Sequence, residues 1–511
     1  MSSPSHAAHS SAVSTISARV RQLHEQKQPL RIYHGSTNST RASPYTPENI
    51  VDTSTLNRVL EVNAVDKTVA VEPNVAMDAL VAATLPHALI PPVVMEFPGI
   101  TCGGGFAGTA GESSSFKHGI FDSTALSIEI VLADGQVVEA SESVNSDLFW
   151  GAKGSCGTLG VVTKLVIRLI EAKDYVALTY FPTRSVEEAV EKLGDATSQP
   201  EKVDYVDGIL FAQDRGVIMV GRLADSPPPG AAVQRFTRPR DPWFYLHAER
   251  VLAGMEKKGR RADAVEPVTV AVPIADYFFR YDRGAFWGGR HAFRYFLTPF
   301  NRITRWLLDP FMHTRVMYHA LHESGLADRT IVQDVGFPFD SVGHFVRYAE
   351  RKLGFYPLWL CPVAPSRNAR ESGGRSFSMG RDMQADEMLV NVGVWGMGPK
   401  DREEFVALNK DMEAEVRRLR GLKCLYAHTY YTEDEFWDIY DREWYEGLRT
   451  KWRANGLPSV YDKVKVSPRK EESGGTLRQH SRRTVRGIWP LNGLYGVYKA
   501  AKGKDYLIGR K

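Results

Sequence analysis

Residues Phe97 to Gly119 read FPGITCGGGFAGTAGESSSFKHG, and seven of these 23 residues are glycine (Gly99, Gly103, Gly104, Gly105, Gly108, Gly111 and Gly119). Thr101, Thr109, Ser113, Ser114 and Ser115 are interleaved with them. Glycine costs backbone entropy, so this density predicts close approach of a ligand or another chain segment, or a need for positive φ. A pyrophosphate wants bare amides and short hydroxyls, because successive N–H groups form an anion nest with no side chains in the way. Gly103 to Gly108 (GGGFAG) formally fits G-x-G-x-x-G, but that fingerprint needs a hydrophobic strand directly before it and a helix directly after. Pro91, Pro92 and Pro98 lie upstream and GESSSFKHG lies downstream, which disfavours a Rossmann unit. A plain Gly/Ser surface loop is the alternative at this point.

The chain around this stretch alternates short strands with turns. Upstream, Leu30 to Arg41 (LRIYHGSTNSTR) pairs a short apolar run with a small, hydroxyl-rich turn, a second candidate phosphate cradle. Leu56 to Pro73 reads as a hairpin turning at Val65-Asp66-Lys67, and Ala76 to Leu85 as a short helix. Downstream, Leu126, Ile128, Ile130 and Leu132 alternate before Asp134-Gly135, the signature of a hairpin. Asn145 to Arg168 reads as a short helix, a third glycine turn (Gly154, Gly157, Gly160) and a β-branched strand. At the N-terminus, residues 1 to about 12 read as flexible, and Ala12 to Gln28 as an amphipathic helix with Val13, Ile16, Val20 and Leu23 on one stripe.

The 511 residues suffice for two or three domains, and 43% hydrophobic with 24% charged residues describes an ordinary globular protein. The net charge of +4 is uneven: Ser467 to Lys511 holds 11 Lys and Arg against 3 Asp and Glu, so this tail carries +8 and the remainder −4. A slightly acidic body argues against nucleic acid as partner. Cys102, Cys156, Cys361 and Cys424 are widely spaced with no metal-ligand pattern, consistent with a reduced, intracellular, metal-free protein. MSSPSHAAHSSAVS lacks the apolar core of a signal peptide, and Asp78, His87 and three prolines interrupt the longest apolar run, Val75 to Met95.

The hairpin, SDLFW and GSCGTLGVVT together resemble the FAD-binding domain of the p-cresol methylhydroxylase and vanillyl-alcohol oxidase superfamily. In that fold two small α+β subdomains hold FAD between them, and the three polar glycine turns occur here in the order it uses. GESSSFKHGIF, VLADGQVV, NSDLFWGAKGSCGTLG, YPLWLCPV (Tyr356 to Val363), NVGVWGMG (Asn391 to Gly398) and the run from Tyr430 to Lys465 further resemble the delta-24 sterol reductases. The resemblance covers roughly residues 25 to 465 and neither end. It implies an α+β fold: residues 1–24 a flexible N-terminus and helix start, 25–172 the two-subdomain FAD-binding domain, 173–400 an α+β substrate or cap domain, 401–466 a segment returning to the flavin site, and 467–511 a basic tail.

Carried over by position, the resemblance puts Gly35, Ser36, Thr37, Asn38 and Ser39 in the first pyrophosphate loop. Thr101, Gly103, Gly104, Gly108, Ser113 and Ser114 fall in the second, and Gly157, Gly160 and Val161 on the adenine side. Ser or Thr stands where many superfamily members carry a tethering His, which implies non-covalent FAD, and His34 reads as structural. NADPH is the implied electron source and a sterol-like alkene the implied substrate, reduced by hydride transfer from flavin and by protonation from a positioned acid. Candidates for that acid or for a flavin partner are Lys463, Glu112, His428, Tyr430 and Tyr461, with Tyr431 beside them. Ile274 to His322 is dense in aromatics and arginines, readable as a buried cap or as a lid and membrane-facing surface, which would bring peripheral contact with the endoplasmic reticulum membrane. An alcohol oxidase or dehydrogenase of the same fold, and a non-catalytic FAD-binding protein that docks on membranes, are the rival readings.

Overall fold

The computed structural model describes residues 4–34, 46–259, 266–354, 356–365, 375–381, 383–384, 386–466 and 489–503, and is α+β. In the N-terminal part, an antiparallel sheet runs in the spatial order Val59–Asn63, Thr68–Val71, Val161–Arg168, Ala125–Val131, Val137–Ser141. Both expected hairpins are present, paired Val62 to Val69 and Ile130 to Val138. The helix Met77–Thr84 follows the first, and the helix Ser146–Ala152 the second. One detail differs from simple alternation. Leu126 is 39% exposed, because Ala125 pairs with Ile167 and Ser127 with Val166, so Leu126 is the extra residue of a bulge and turns outward. A small parallel pair, Arg31–Tyr33 with Ile50–Asp52, stands beside this sheet.

The first helix spans Pro4–Glu25 and buries Val13, Ile16, Val20 and Leu23 as the stripe predicts. It starts upstream of the expected boundary, and residues 4–12 are helical rather than flexible. The reason is a polar anchor that apolar periodicity cannot show. His9 is buried, with Nδ1 2.9 Å from Glu72 Oε1 and Nε2 3.0 Å from Glu129 Oε1. Hydrogen bonds to Glu129 and then Glu72 push its pKa up to about 9.

The cap is built on a nine-stranded sheet, in the order Ala232–Val233, Val268–Pro273, Tyr175–Thr183, Arg215–Ala224, Tyr205–Ala212, Leu358–Val363, Leu389–Met397, Thr330–Pro338, Leu422–Lys423. All neighbours are antiparallel except the first pair. Successive side chains of a strand face opposite ways. Leu358, Leu360, Val390, Val392, Val394, Ile331, Val335 and Phe337 share a core with Ala189 and Leu193 of the helix Val186–Thr197 and with Val342, Phe345 and Val346 of the helix Phe339–Lys352. The opposite parity, including Trp359, Cys361, Asn391, Trp395 and Asp334, faces a cavity. The strand Leu422–Lys423 completes the sheet from the C-terminal segment, and the chain then returns to the N-terminal part.

The aromatic, arginine-rich segment is partly buried and partly exposed. Tyr277, Phe278, Tyr281, Phe286, Trp287 and Phe293 are buried, as are Arg280 and Arg283, whereas Leu297, Ile303, Trp306 and Leu307 are exposed. Among the described residues no helix is long and apolar enough to cross a membrane.

The His9 bridge makes stability depend on pH. A histidine whose folded pKa is raised adds stability that is fully present below the unfolded value near 6.5 and lost as pH rises through about 9. His9→Ala therefore lowers the melting temperature at pH 6, by on the order of 2 °C, and the gap to wild type narrows as pH passes 9. Thermal melts followed by circular dichroism check this, and a gap constant with pH contradicts it.

Candidate active site

The glycine stretch is not the open loop that its composition suggests. Cys102–Ala107 forms a short helix whose N-cap, Thr101, accepts a hydrogen bond from the Gly104 amide at 3.1 Å. The nearby amides also have partners: Cys102 N donates to Val75 O, Gly103 N to Pro73 O and Gly105 N to Thr101 O. The glycines thus act by clearing space, not by offering free amides at these positions. A Cβ on Gly103 would lie 2.7 Å from Pro73 Cβ and 3.0 Å from its carbonyl oxygen, and one on Gly105 would lie 2.5 Å from Met95 Cε. Gly104 differs, since a Cβ there meets only Thr101 Oγ1, at 3.1 Å. Gly103 and Gly105 are packing glycines, and Gly104 is a bare patch of floor.

Two glycine loops are sewn together at this floor. Gly154 N donates to Phe106 O and Cys156 N to Ala107 O, both at 3.0 Å. Thr109 and Cys156 both adopt left-handed backbone, with φ of 56° and 54°. Positive φ is a genuine outlier for a β-branched residue such as Thr109, and surrounding structure must hold it. Lys463 Nζ donates to the Cys156 carbonyl at 2.7 Å, which ties the returning C-terminal segment to the same point.

Above the floor lies a continuous cavity of about 1440 Å³, larger than the roughly 300–1,000 Å³ of a single small-molecule site. Thr101, Gly103, Gly104, Gly108, Gly157, Gly160 and Val161 line it, as do Lys463, His428 and Tyr430. Gly35, Ser36, Thr37, Asn38 and Ser39 lie outside the described residues. Glu112, Ser113, Ser114 and Tyr461 are not brought to the wall, which corrects four expectations. Glu112 is buried behind it, and a buried carboxyl needs donors. Ser113 Oγ donates to Glu112 Oε2 at 2.7 Å and Ser114 N to Oε1 at 2.8 Å, so the two serines serve Glu112 rather than a phosphate. Tyr461 packs on Phe436, with its hydroxyl donating to Tyr431 O at 3.3 Å. His34 was expected to be structural. It lines the cavity with a buried Nδ1 that has no hydrogen-bond partner among the described residues. Burial, and then the positive charge of Lys463, hold its pKa below the usual value.

The cap supplies the opposite wall, with residues that motif reading passed over. Trp359, Cys361, Trp395, Phe286 and Met317 make it apolar. Within it, Asp334 accepts from Asn391 Nδ2 at 2.9 Å and from the Tyr426 hydroxyl at 2.6 Å, and burial raises its pKa. Lys423 pairs with Glu413 in the interior and also donates to the His428 carbonyl. Glu96 is the remaining feature of the wall, a buried carboxyl beside the glycine floor. Strand parity could have found the cap residues, since Trp359 and Cys361, and Asn391 and Trp395, share parity within their motifs.

Comparison with known proteins agrees with this geometry. Residues 4–141 match the family model described as an FAD binding domain, so the fold and the bare floor together define an FAD-dependent oxidoreductase. The chain is 31% identical over 474 residues to the Delta(24)-sterol reductase of Homo sapiens, covering 89% of this chain and 86% of that protein. It is 31% identical over 468 residues to the Delta(24)-sterol reductase of Arabidopsis thaliana, covering 83% and 77%. A shorter match, 29% identical over 156 residues, joins it to cytokinin dehydrogenase 4 of Oryza sativa subsp. japonica, covering 30% of this chain and 29% of that protein. The chain belongs to the Delta(24)-sterol reductase family.

The floor residues fit a flavin dinucleotide, and the Cβ geometry separates their roles. Gly104→Leu is expected to leave the melting temperature near wild type while the purified protein loses most of its flavin absorbance. Gly103→Ala is expected to destabilise the fold by about 1–3 kcal/mol through overpacking. Equal flavin content in the Gly104→Leu protein and wild type contradicts the assignment of Gly104 to the cofactor floor.

Proposed function

We propose that this protein reduces a side-chain double bond of a sterol-like or related isoprenoid alkene, with non-covalent FAD as cofactor and NADPH as electron source. One observation carries the reading: a single cavity joins the glycine-bare floor of the FAD-binding domain to an apolar, aromatic wall in the cap, with volume for both a cofactor and a hydrophobic substrate. The names of the human and plant relatives point to the Δ24 bond of a sterol.

Thr101, Gly104, Gly108, Gly157, Gly160 and Val161 would hold the FAD, together with Gly35 to Ser39. Bound reduced flavin supplies a hydride, and NADPH would restore it by taking turns with substrate. Lys463 brings positive charge to the flavin side of the cavity, next to Gly157, where preorganised charge stabilises an anionic group. Trp359, Trp395, Phe286 and Met317 would bury the alkene and exclude water. Asp334, Tyr426 and Asn391 form a polar point in that wall that orients the substrate.

Anaerobic NADPH is expected to bleach the flavin band, and a Δ24 sterol to restore it with release of a product heavier by two hydrogen atoms. Lys463→Met is expected to cut turnover by about 10²-fold with flavin content near wild type. Fast reoxidation by oxygen with peroxide release, and no sterol product, identifies an oxidase instead.

A bilayer is the proposed source of the substrate. Leu297, Ile303, Trp306 and Leu307 are exposed, as are Trp489, Leu491, Leu494 and Tyr498, and the two segments meet where Trp489 Nε1 donates to Tyr295 O at 2.8 Å. The two segments bearing these residues also carry Arg290, Arg294, Arg302, Arg305, Lys499 and Lys502 and no acidic residue between Gly288 and Leu308 or between Trp489 and Gly503. Basic and aromatic residues together suit an anionic headgroup zone. Tyr295, Phe296, Gly493 and Val497 line the cavity, so this surface adjoins its mouth. Flotation with phosphatidylserine vesicles is expected to carry the wild type and to lose the Trp306→Glu/Leu494→Glu protein; equal flotation rejects the surface.

A further inference from the structure

We propose that Glu96 is the catalytic acid of this site, the group that delivers the proton to the substrate alkene: its carboxyl stands in the cavity wall, with Oε1 buried and without a hydrogen-bond partner among the described residues. The proposal rests on the alkene-reductase reading above and supplies the component that reading lacks. Reducing an isolated double bond needs a proton as well as a hydride, and the donor must be positioned and kept from water.

The segment carrying Glu96 is fixed from both sides. Met95 packs directly on the glycine floor, since a Cβ on Gly105 would lie 2.5 Å from its Cε. Phe97 meets the cap edge-on, 5.6 Å from Phe286 and 6.0 Å from Tyr318. Beyond it, the Pro98 carbonyl accepts from Arg315 Nη2 at 2.9 Å, and Arg315 also pairs with Asp78 at 2.8 Å. Glu96 is thus held between Met95, which packs on the glycine floor, and Phe97, which packs on the cap.

Its surroundings favour the protonated form. Burial, and then the like charge of Glu112, hold its pKa well above the carboxylate range. A contact with its own backbone and then the charge of Arg280 oppose that shift, Asp207 adds to it, and Arg280 and Asp207 pair with each other at 3.0 Å. Three other buried carboxyls of the region have side-chain partners. Asp334 serves Tyr426 and Asn391, Glu112 serves Ser113 and Ser114, and Glu413 serves Lys423.

In the step, the O–H bond of Glu96 breaks as a C–H bond forms from the alkene π pair at the less substituted carbon. The tertiary carbon accepts the hydride, whose two electrons derive from NADPH. The carboxylate regains its proton from water as product leaves.

The test is anaerobic stopped-flow on the FAD-loaded protein, reading reduction by NADPH and reoxidation by a Δ24 sterol separately. Glu96→Gln is expected to keep the first rate and the sterol affinity and to lose about 10²–10⁴-fold in the second, with Glu96→Asp partly restoring it. Independently of turnover, infrared difference spectra at neutral pH are expected to show a protonated-carboxyl C=O band that Glu96→Gln removes. Wild-type-like reoxidation in Glu96→Gln, or no band lost, overturns the proposal. A wild-type protein whose reduced flavin the sterol never reoxidises overturns the alkene-reductase reading instead.

Discussion

The cap sheet must be apolar on one face and chemically varied on the other, and strand parity alone keeps the two apart. A slip of one residue would send every side chain to the wrong face. The register Cys361 to Asn391, Gly336 to Asn391 and Asp334 to Gly393 puts Asp334, Asn391, Trp395, Trp359 and Cys361 on the cavity face. Gly393 is the space that makes this arrangement fit, because a Cβ there would lie 2.7 Å from Trp395 Cζ2 and 3.1 Å from Asp334 Oδ1. The helices Val186–Thr197 and Phe339–Lys352 seal the other face with ordinary hydrophobic packing, which holds the register in place.

The flavin-side floor obeys a different constraint. Its glycines yield space for neighbouring segments at Gly103 and Gly105, while Gly104 faces the cavity with only Thr101 Oγ1 near the position of a Cβ. The strain in Thr109 and Cys156 is held by backbone hydrogen bonds between the two loops and by Lys463 from the returning C-terminal segment. Segments far apart in sequence therefore meet at one small area. A buried polar network stands behind it, in which Glu112, Ser113 and Tyr277 are linked by hydrogen bonds, and Arg280 stacks on Tyr277 while pairing with Asp207. Asp207 Oδ1 and Arg280 Nε of this network have no hydrogen-bond partner among the described residues, and leaving a buried member unpaired is costly. Glu96 Oε1 and His34 Nδ1 are likewise buried without a hydrogen-bond partner among the described residues, each on a residue that lines the cavity.

Much of the local structure was legible in the sequence, because it depends on neighbours in the chain. The hairpins around Asp66 and Asp134, the helix Met77–Thr84 and the buried stripe of the first helix all follow from apolar spacing and turn chemistry. So does the family, whose motifs carry over the floor residues Thr101, Gly104, Gly108, Gly157 and Gly160. The errors share one cause. Ser113 and Ser114 have the right chemistry for a phosphate, but the carboxyl of Glu112, one and two residues away, claims them. The polar residues before Ala12 look flexible until Glu72 and Glu129 close on His9.

What the sequence by itself determined is the fold class, the family and the chemistry available: a glycine-rich floor, an aromatic cap, and a choice of acids. Only the tertiary structure decided which of them face the cavity. Glu112 and Glu96 are both buried glutamates near the floor, yet Glu112 is held by serines behind the wall while Glu96 is among the residues that line the cavity. Spacing within a helix or strand sets which residues share a face. Which face a cavity occupies is set by how separate elements pack, and that depends on contacts between residues hundreds of positions apart.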